Sequence, residues 1–454
     1  MNERRAPNRA MPVNRTCWQL LASPALYSLR VWRTILSMPS PIKTHGDRVE
    51  DAVEAVCFRL FGPDFVLRSP QLIEQSGSKE LTDFLVVVDD TAIVMQSKSL
   101  ALDISEIDQT KFGRIQKKHK EAKRQLNTTL NAHTRGARVR VKSPLNVAFD
   151  IDWSWIKKKI GIITLHLRDE LYSDPEFRFQ YPHLVEEHKG IIVHTFLLND
   201  LRQMTSELST PADVLSYLEM REKCLMSGKF QTEFMNELDF LAMFKSRYPQ
   251  LERILASDFD FVGLEAGIWE EYRKIAKQRI EERDRKLKNG VVIDTLIRRF
   301  QTSINFTAER YGLTAEASAA QYFRLIGKFG KLARIERAWI GDKLLEKLEK
   351  TKRSKFGYFV HVSPRTKTAY LFLLVNESDR EKRGNALNLL CVQACHSIDC
   401  TEVVGVVSEG ARQQGSSIDA LVLNVAEVRS TTQPQNDLTF FQQPVRETKT
   451  EWSF

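Results

Sequence analysis

The chain has 454 residues, of which 42% are hydrophobic and 28% charged, with 20 Gly and 15 Pro. This composition excludes wholesale disorder and collagen-like or low-complexity architectures, and the length suits two or three domains. No run approaches the ~20 apolar residues of a membrane-spanning helix, so we expect no membrane partner. Six cysteines are too few for a secreted disulfide framework, which favours a reducing, cytoplasmic location.

The positive charge is concentrated in one segment. Residues 111–142 contain eleven Lys or Arg and one acid, and residues 1–40 contain six Arg and one acid, so the rest of the chain is mildly acidic. Clustered cations gain counterion-release free energy on phosphate backbones, which favours a nucleic-acid contact. A solvated helix face is the alternative.

Residues 1–40 are predicted to be a basic, disordered N-terminal segment outside the fold. Their Arg-rich, nearly acid-free composition lacks the continuous apolar stretch of a secretory signal. A transit peptide and a start codon assigned too early, with Met38 as the true start, both stay open.

Residues 41–228 are predicted to form an α/β domain. Helical periodicity follows Asp47, a candidate cap, and Thr210 is the candidate cap of the last helix. The predicted elements, in order, are helix RVEDAVEAVCFRLF, a strand and its exit in DFVLRSPQLIEQ, hairpin KELTDFLVVVDDTAIVMQSKS, helix QTKFGRIQKKHKEAKRQLNTTL, strands VRVKSPLNVAF, KIGIITLHL and KGIIVHTFLL, and helix TPADVLSYLEMREKCL.

Residues 229–352 read as a helical connector or bundle, 353–430 as a small α/β domain, and 431–454 as a flexible tail. In the small domain we predict a hairpin, a helix and two strands. Its Cys391, Cys395 and Cys400 match no zinc-ribbon spacing, so buried thiols are favoured over a metal site.

The hairpin within residues 79–99 carries the most informative side chains. A tight turn at Asp89-Asp90 would pair Asp83 with Gln96, and Lys98 would lie two residues on, on the same side of the sheet. Three polar groups then converge at one end of an otherwise apolar ribbon.

This cluster suits metal-assisted phosphodiester hydrolysis. Asp83 can hold a hard divalent cation, the Gln96 position can contribute an oxygen, and Lys98 can orient water or offset phosphate charge. In the preceding helix, Glu50 and Glu54 share a face and can supply a further oxygen.

These residues resemble the PD-(D/E)xK restriction-endonuclease-like nuclease superfamily, most closely its Mrr-type branch, over residues 45–225. The match comprises Glu50 in GDRVE, Asp83 in LTDFLVVV, and Gln96 and Lys98 in QSK. The resemblance implies a mixed sheet flanked by helices and a site binding Mg²⁺ or Mn²⁺, with Asp83, Gln96 and Lys98 as its core and Glu50 assisting. Thr82 departs from the proline of the family motif.

Each of these residues also has a structural interpretation. Glu50 can complete a capping box with Asp47, and Asp83 can cap the entry of a strand. Gln96 and Lys98 can be solvated rim residues.

We therefore expect a metal-dependent endonuclease acting on DNA in defence or repair, with RNA left open as a substrate. The predicted metal ligands are Asp83, Gln96 and Glu50, and the predicted backbone-binding residues are Lys117, Lys118, Lys120, Lys123 and Arg124. The alternative is a catalytically inactive nucleic-acid-binding or interaction protein. The C-terminal domain is a candidate surface for a homodimer or another protein partner.

Overall fold

The computed structural model describes residues 45–74, 77–99, 109–131, 138–142, 147–166, 184–230, 236–257, 267–302, 314–410 and 417–432. The predictions for segment 1–40 and for nearly all of tail 431–454 lie outside these residues. No helix in the described part is long and apolar enough to cross a membrane.

The N-terminal half of the described chain alternates strands and helices. Its helices are α1 His45–Phe61, α2 Gln109–Leu130, α3 Leu198–Met204 and α4 Pro211–Met226. Its strands are β1 Val66–Arg68, β2 Gln71–Glu74, β3 Gly77–Glu80, β4 Phe84–Val88, β5 Thr91–Ser99, β6 Arg138–Lys142, β7 Ala148–Ile151, β8 Lys158–His166, β9 Val185–His188 and β10 Ile191–Leu197. Single 3-10 turns occupy Pro63–Phe65 and Trp153–Trp155.

Six of these strands form one mixed sheet in the order β1-β4-β5-β8-β10-β9. β5 and β10 both run parallel to β8, whereas β1, β4 and β9 join antiparallel. The inner strands are continuous apolar runs, which is typical of strands covered on both faces. The predicted α/β class is confirmed.

Helices cover both faces of the six-stranded sheet. On one face, the α1 thiol of Cys57 lies 3.5 Å from the sulfur of Met95 in β5. On the other, α2 packs so closely over β8 that a Cβ at Gly161 would lie 3.1 Å from Leu126 Cδ1. A larger residue at this position would require Leu126 and Val193 to shift by a few tenths of an ångström.

A second, smaller sheet was not expected. It has the antiparallel order β3-β2-β6-β7. The strand predicted in DFVLRSPQLIEQ is present as β1, but the predicted exit from it contains a second strand, β2. Ser69, with a φ of 44°, turns the chain before Pro70, so β1 and β2 join different sheets. The strand predicted in VRVKSPLNVAF likewise divides into β6 and β7.

The helix ends test the capping predictions. The Thr210 hydroxyl accepts a hydrogen bond from Asp213 N at 3.2 Å, which confirms Thr210 as the cap of α4. α1 begins at His45, so the prediction that Asp47 caps it is wrong, and the capping-box interpretation of Glu50 fails with it.

The following helices are α5 Glu237–Ser246, α6 Tyr248–Ala256, α7 Ile268–Leu287, α8 Val291–Thr302, α9 Ala315–Gly330 and α10 Arg334–Thr351. α9 lies between the two halves of the protein. A Cβ at Gly330 would meet Val88 of β4 at 2.7 Å, and Tyr370 from the C-terminal part donates to Lys328 O at 2.7 Å. One hydrophobic core therefore extends from the six-stranded sheet through α9 to the C-terminal part.

The C-terminal part consists of β11 Phe356–Val362, β12 Thr368–Val375, α11 Arg380–Ser397, β13 Glu402–Glu409, β14 Ile418–Asn424 and α12 Val425–Thr431. The strands form a sheet in the order β11-β12-β13-β14, with β12 and β13 parallel across the α11 crossover. The predicted hairpin, helix and two strands are confirmed, whereas α12 was not predicted. Cys391, Cys395 and Cys400 are buried between α11 and this sheet.

Candidate functional site

The β4–β5 hairpin brings Asp83 and Gln96 together. Its register pairs Leu85 with Val94 and ends at Phe84 with Met95, so the predicted register is confirmed. Asp83 comes directly before β4, and its Oδ1 accepts a hydrogen bond from Gln96 Nε2 at 2.6 Å.

Two further donors hold the Asp83 carboxylate. Its Oδ2 accepts hydrogen bonds from the backbone N–H of Ser97 at 2.7 Å and from the Ser97 hydroxyl at 2.8 Å. The Asp83 carbonyl accepts from Ser69 N at 2.9 Å, which joins the site to the end of β1. The carboxylate is thus fixed in one orientation by groups from β5.

Thr82 attaches the chain beside Asp83 to β5. Its hydroxyl donates to the Met95 carbonyl at 2.7 Å, and the residue is 3% exposed. This bond extends the attachment of the chain to β5 beyond the last ladder pair, directly beside Asp83.

Lys98 lies two residues beyond Gln96, so strand alternation places both side chains on the same face of the sheet. Its side chain is partly exposed, and no acid of the described chain lies within ion-pair distance of it. Its charge is felt by Glu121 of α2, whose pKa is lowered mainly by the hydrogen bond from Lys118 and, to a smaller extent, by Lys98. Val94, on the same face as Lys98, is in register with Gly161, whose Cβ position faces Leu126 of α2, so Lys98 lies on the sheet face that α2 covers.

Glu50 instead faces Arg68. The Arg68 guanidinium lies 3.7 Å from Glu50, 3.4 Å from Asp51 and 3.2 Å from Glu54, all on α1. Arg68 is in register with Phe84, so its side chain points to the sheet face opposite the one that Asp83 faces. The structure joins Asp83 to Gln96 and Ser97, but it holds Glu50 on the α1 side of the sheet.

The donor set bears on whether a metal fits. No group of three or more His, Cys, Asp or Glu able to hold a metal occurs among the described residues. Mg²⁺, however, commonly uses one or two carboxylates and takes its other oxygens from water and substrate phosphate. Gln96 turns its amide nitrogen, not its oxygen, to Asp83 Oδ1, so Asp83 is the one oxygen ligand that this pair offers to a cation.

The basic helix α2 presents part of the predicted nucleic-acid surface. Lys117, Lys120 and Arg124 are exposed and share one helix face at i, i+3 and i+7 spacing. Lys123, in contrast, forms an ion pair with Glu186 of β9 at 2.8 Å. Lys118 pairs with Glu121 at 3.0 Å within the helix. The other three predicted cations have no ion-pair partner among the residues that the structure describes.

Sequence reasoning missed Ser97, Arg68 and His119. Ser97 lies between Gln96 and Lys98, at the position of the motif that any residue can occupy. The motif therefore gives no reason to select Ser97. His119 lies on the inner face of α2, 3% exposed, with Nε2 2.9 Å from the Thr195 hydroxyl. Its spacing from Ile115 and Ala122 was the available signal.

Comparison with known proteins gives no relative. No family model matches the chain, and neither a curated protein nor a solved structure is significantly similar to it.

Proposed function

We propose that the protein is a Mg²⁺-dependent nuclease of the PD-(D/E)xK type that hydrolyses phosphodiester bonds in DNA. The proposal rests on the register of the β4–β5 hairpin. It sets the Asp83 carboxylate 2.6 Å from the Gln96 amide, with Lys98 on the same face. The mixed sheet covered by helices on both faces supports the same assignment.

Each side chain has a role in this chemistry. Asp83 would hold the cation, which when bound supplies Lewis-acid stabilisation of the phosphate charge. The amide oxygen of Gln96 would join it only after the amide rotates out of the hydrogen bond that its Nε2 donates to Asp83. Ser97 keeps the carboxylate oriented through its N–H and hydroxyl. Lys98 places an unpaired positive charge beside the scissile phosphate and can position the attacking water.

The substrate would lie along α2. Lys117, Lys120 and Arg124 are free to contact successive phosphates, and such contacts fix the position of a nucleic acid without reading its sequence. Lys98 belongs to the same sheet face that α2 covers, so the backbone contacts and the cleavage site can engage one strand.

Nicking of supercoiled plasmid with and without Mg²⁺ tests the proposal. We expect Mg²⁺-dependent nicking by the wild type and a loss of roughly 100-fold or more in Asp83→Asn and Lys98→Met, since each removes a charge used in the reaction. Lys286→Gln on α7 is the control, because Lys286 is 54% exposed and pairs only within its helix. Plasmid that stays intact with the wild type, or equal nicking by all four proteins, would reject catalysis.

A second candidate is a nucleic-acid-binding protein that keeps this fold without cleavage. It is favoured by the three hydrogen bonds that the Asp83 carboxylate already accepts and by the ion pair that holds Glu50 on Arg68. In this case DNA binding would fall steeply with salt, survive Asp83→Asn unchanged, and be accompanied by no nicking.

A further inference from the structure

A cleft opens where three parts of the protein meet: the turn of the β4–β5 hairpin, helix α9 and the C-terminal sheet. Its volume is about 550 Å³, which lies within the range of small-molecule sites. It adjoins a larger cavity of about 1160 Å³ along α9 and β14. Both are lined by Arg324, Lys328, Glu402 and Asn424, so the two cavities share a wall.

Ion pairs form the floor of the smaller cavity. Lys328 of α9 lies 2.7 Å from Asp89 in the hairpin turn and 2.7 Å from Glu402 of β13. Lys331 lies 2.7 Å from Asp90. The three acids that line this cavity thus share two lysines, which leaves one negative charge over.

Three further cations line the smaller cavity and leave it positive. They are Lys157 before β8, Arg324 on α9 and Arg365 in the β11–β12 turn. None has a carboxylate within ion-pair distance in the described chain. Arg365 Nη1 donates to the Ala212 carbonyl at 2.8 Å, which holds the side chain in place.

An indole and several hydroxyls complete the smaller cavity. The Arg324 guanidinium lies 5.3 Å from the centre of the Trp155 ring, a cation–π contact that orients it. Trp155 Nε1 is buried, and no hydrogen-bond partner for it occurs in the structure. Thr366 and Thr401 supply hydroxyl groups. The cavity therefore offers fixed donors and positive charge, which suit a phosphate group.

The larger cavity has a different character. Its lining includes a wall of aromatic and aliphatic side chains, among them Phe300, Tyr322, Leu325, Ile418 and Val422. We propose that the cleft binds a small phosphorylated organic molecule of nucleotide size, its phosphate at Lys157, Arg324 and Arg365 and its ring in the larger cavity. The floor of the cleft is the turn of the hairpin that carries Asp83, so the bound ligand would contact the element bearing the proposed cleavage site.

Isothermal titration calorimetry with ATP, AMP and pyrophosphate, without DNA or metal, tests this binding independently of any cleavage. We expect ATP to bind, and the double variant Lys157→Gln/Arg324→Gln to bind it at least about tenfold more weakly. Tenfold corresponds to ~1.4 kcal/mol. Both side chains are exposed, so the variant should fold, and an unchanged melting temperature checks this. Lys286→Gln is the matched control and should bind like the wild type.

The alternatives give distinct results. Failure of all three probes to bind at millimolar concentrations would overturn the proposal, as would equal ATP affinity in the double variant. If Lys117→Gln/Lys120→Gln abolished ATP binding and Lys157→Gln/Arg324→Gln did not, ATP would bind to the α2 surface and the assignment to the cleft would be wrong. Pyrophosphate binding as tightly as ATP would refute the role of the apolar wall.

Discussion

Helix α9 meets the β4–β5 turn so closely that one methyl group should disturb the contact. A Cβ at Gly327 would lie 2.6 Å from Asp89 N and 2.9 Å from Asp89 Cα. Both are backbone atoms of a turn that Lys328 also anchors, so no side chain can rotate away. We predict that Gly327→Ala destabilises the protein.

The size of the effect follows from two opposing contributions. Overpacking of a close contact costs ~1–3 kcal/mol, whereas alanine in a helix gains ~0.5–1 kcal/mol over glycine. The difference is a net loss of up to about 2.5 kcal/mol, and we expect the upper part of this range because both close contacts are to backbone atoms. Gly384→Ala in α11 is the control, because nothing lies within 4 Å of its added Cβ, and it should gain up to ~1 kcal/mol.

Urea unfolding followed by far-UV circular dichroism measures both variants against the wild type. A Gly327→Ala protein at least as stable as the wild type would show that α9 does not press on the hairpin turn as described. The ordering of the two variants matters more than either value, because both exchanges alter the unfolded chain in the same way.

Three other predictions address burial and charge. Burial raises the pKa of Asp64 to about 6, so the folded protein holds a proton there that the unfolded chain releases from about pH 4 upward. The contribution of Asp64 to stability therefore falls as the pH rises from about 4 to 6. Urea titrations should show the unfolding free energy of Asp64→Asn, relative to that of the wild type, growing by ~3 kcal/mol over the same range. Arg221 and Glu237 form an ion pair at 2.7 Å, and both side chains are at most 4% exposed. Arg221→Met leaves the buried Glu237 carboxylate without its cation and should lower the unfolding free energy by ~3–5 kcal/mol in the same assay. A loss below ~1 kcal/mol would contradict the buried pair. If α2 binds duplex DNA, Lys117→Gln should reduce the slope of log affinity against log salt concentration by ~0.9. Lys123→Gln should reduce this slope less, because the Lys123 ammonium already pairs with Glu186. Equal reductions in the two variants would contradict the difference between the two lysines.

The hairpin was predictable because its register depends on local information. A tight turn at Asp89-Asp90 and apolar residues on both sides leave one alignment, and that alignment places Asp83 beside Gln96. The boundary at Ser69-Pro70 was harder, since the strands on either side of it look alike in composition. Only the positive φ of Ser69 and pairing with distant β6 separate them.

Long-range partners account for what the sequence did not reveal about the site. The sequence predicts Glu50 as a metal ligand and Lys123 as a contact to a nucleic-acid backbone. In the fold, Glu50 forms an ion pair with Arg68, and Lys123 forms one with Glu186. No periodicity within α1 or α2 identifies a partner on another strand. The cleft under α9 was hidden for the same reason, because Lys157, Arg324 and Arg365 are far apart in the chain and meet only in three dimensions.

We propose that the β4–β5 hairpin holds a divalent cation at Asp83. Electron paramagnetic resonance of Mn²⁺ titrated into the protein with an uncleavable duplex tests it directly. We expect one bound Mn²⁺ per chain in the wild type and in Lys98→Met, and no bound Mn²⁺ in Asp83→Asn. Equal Mn²⁺ binding by the wild type and Asp83→Asn, or no stoichiometric binding by either, would contradict it.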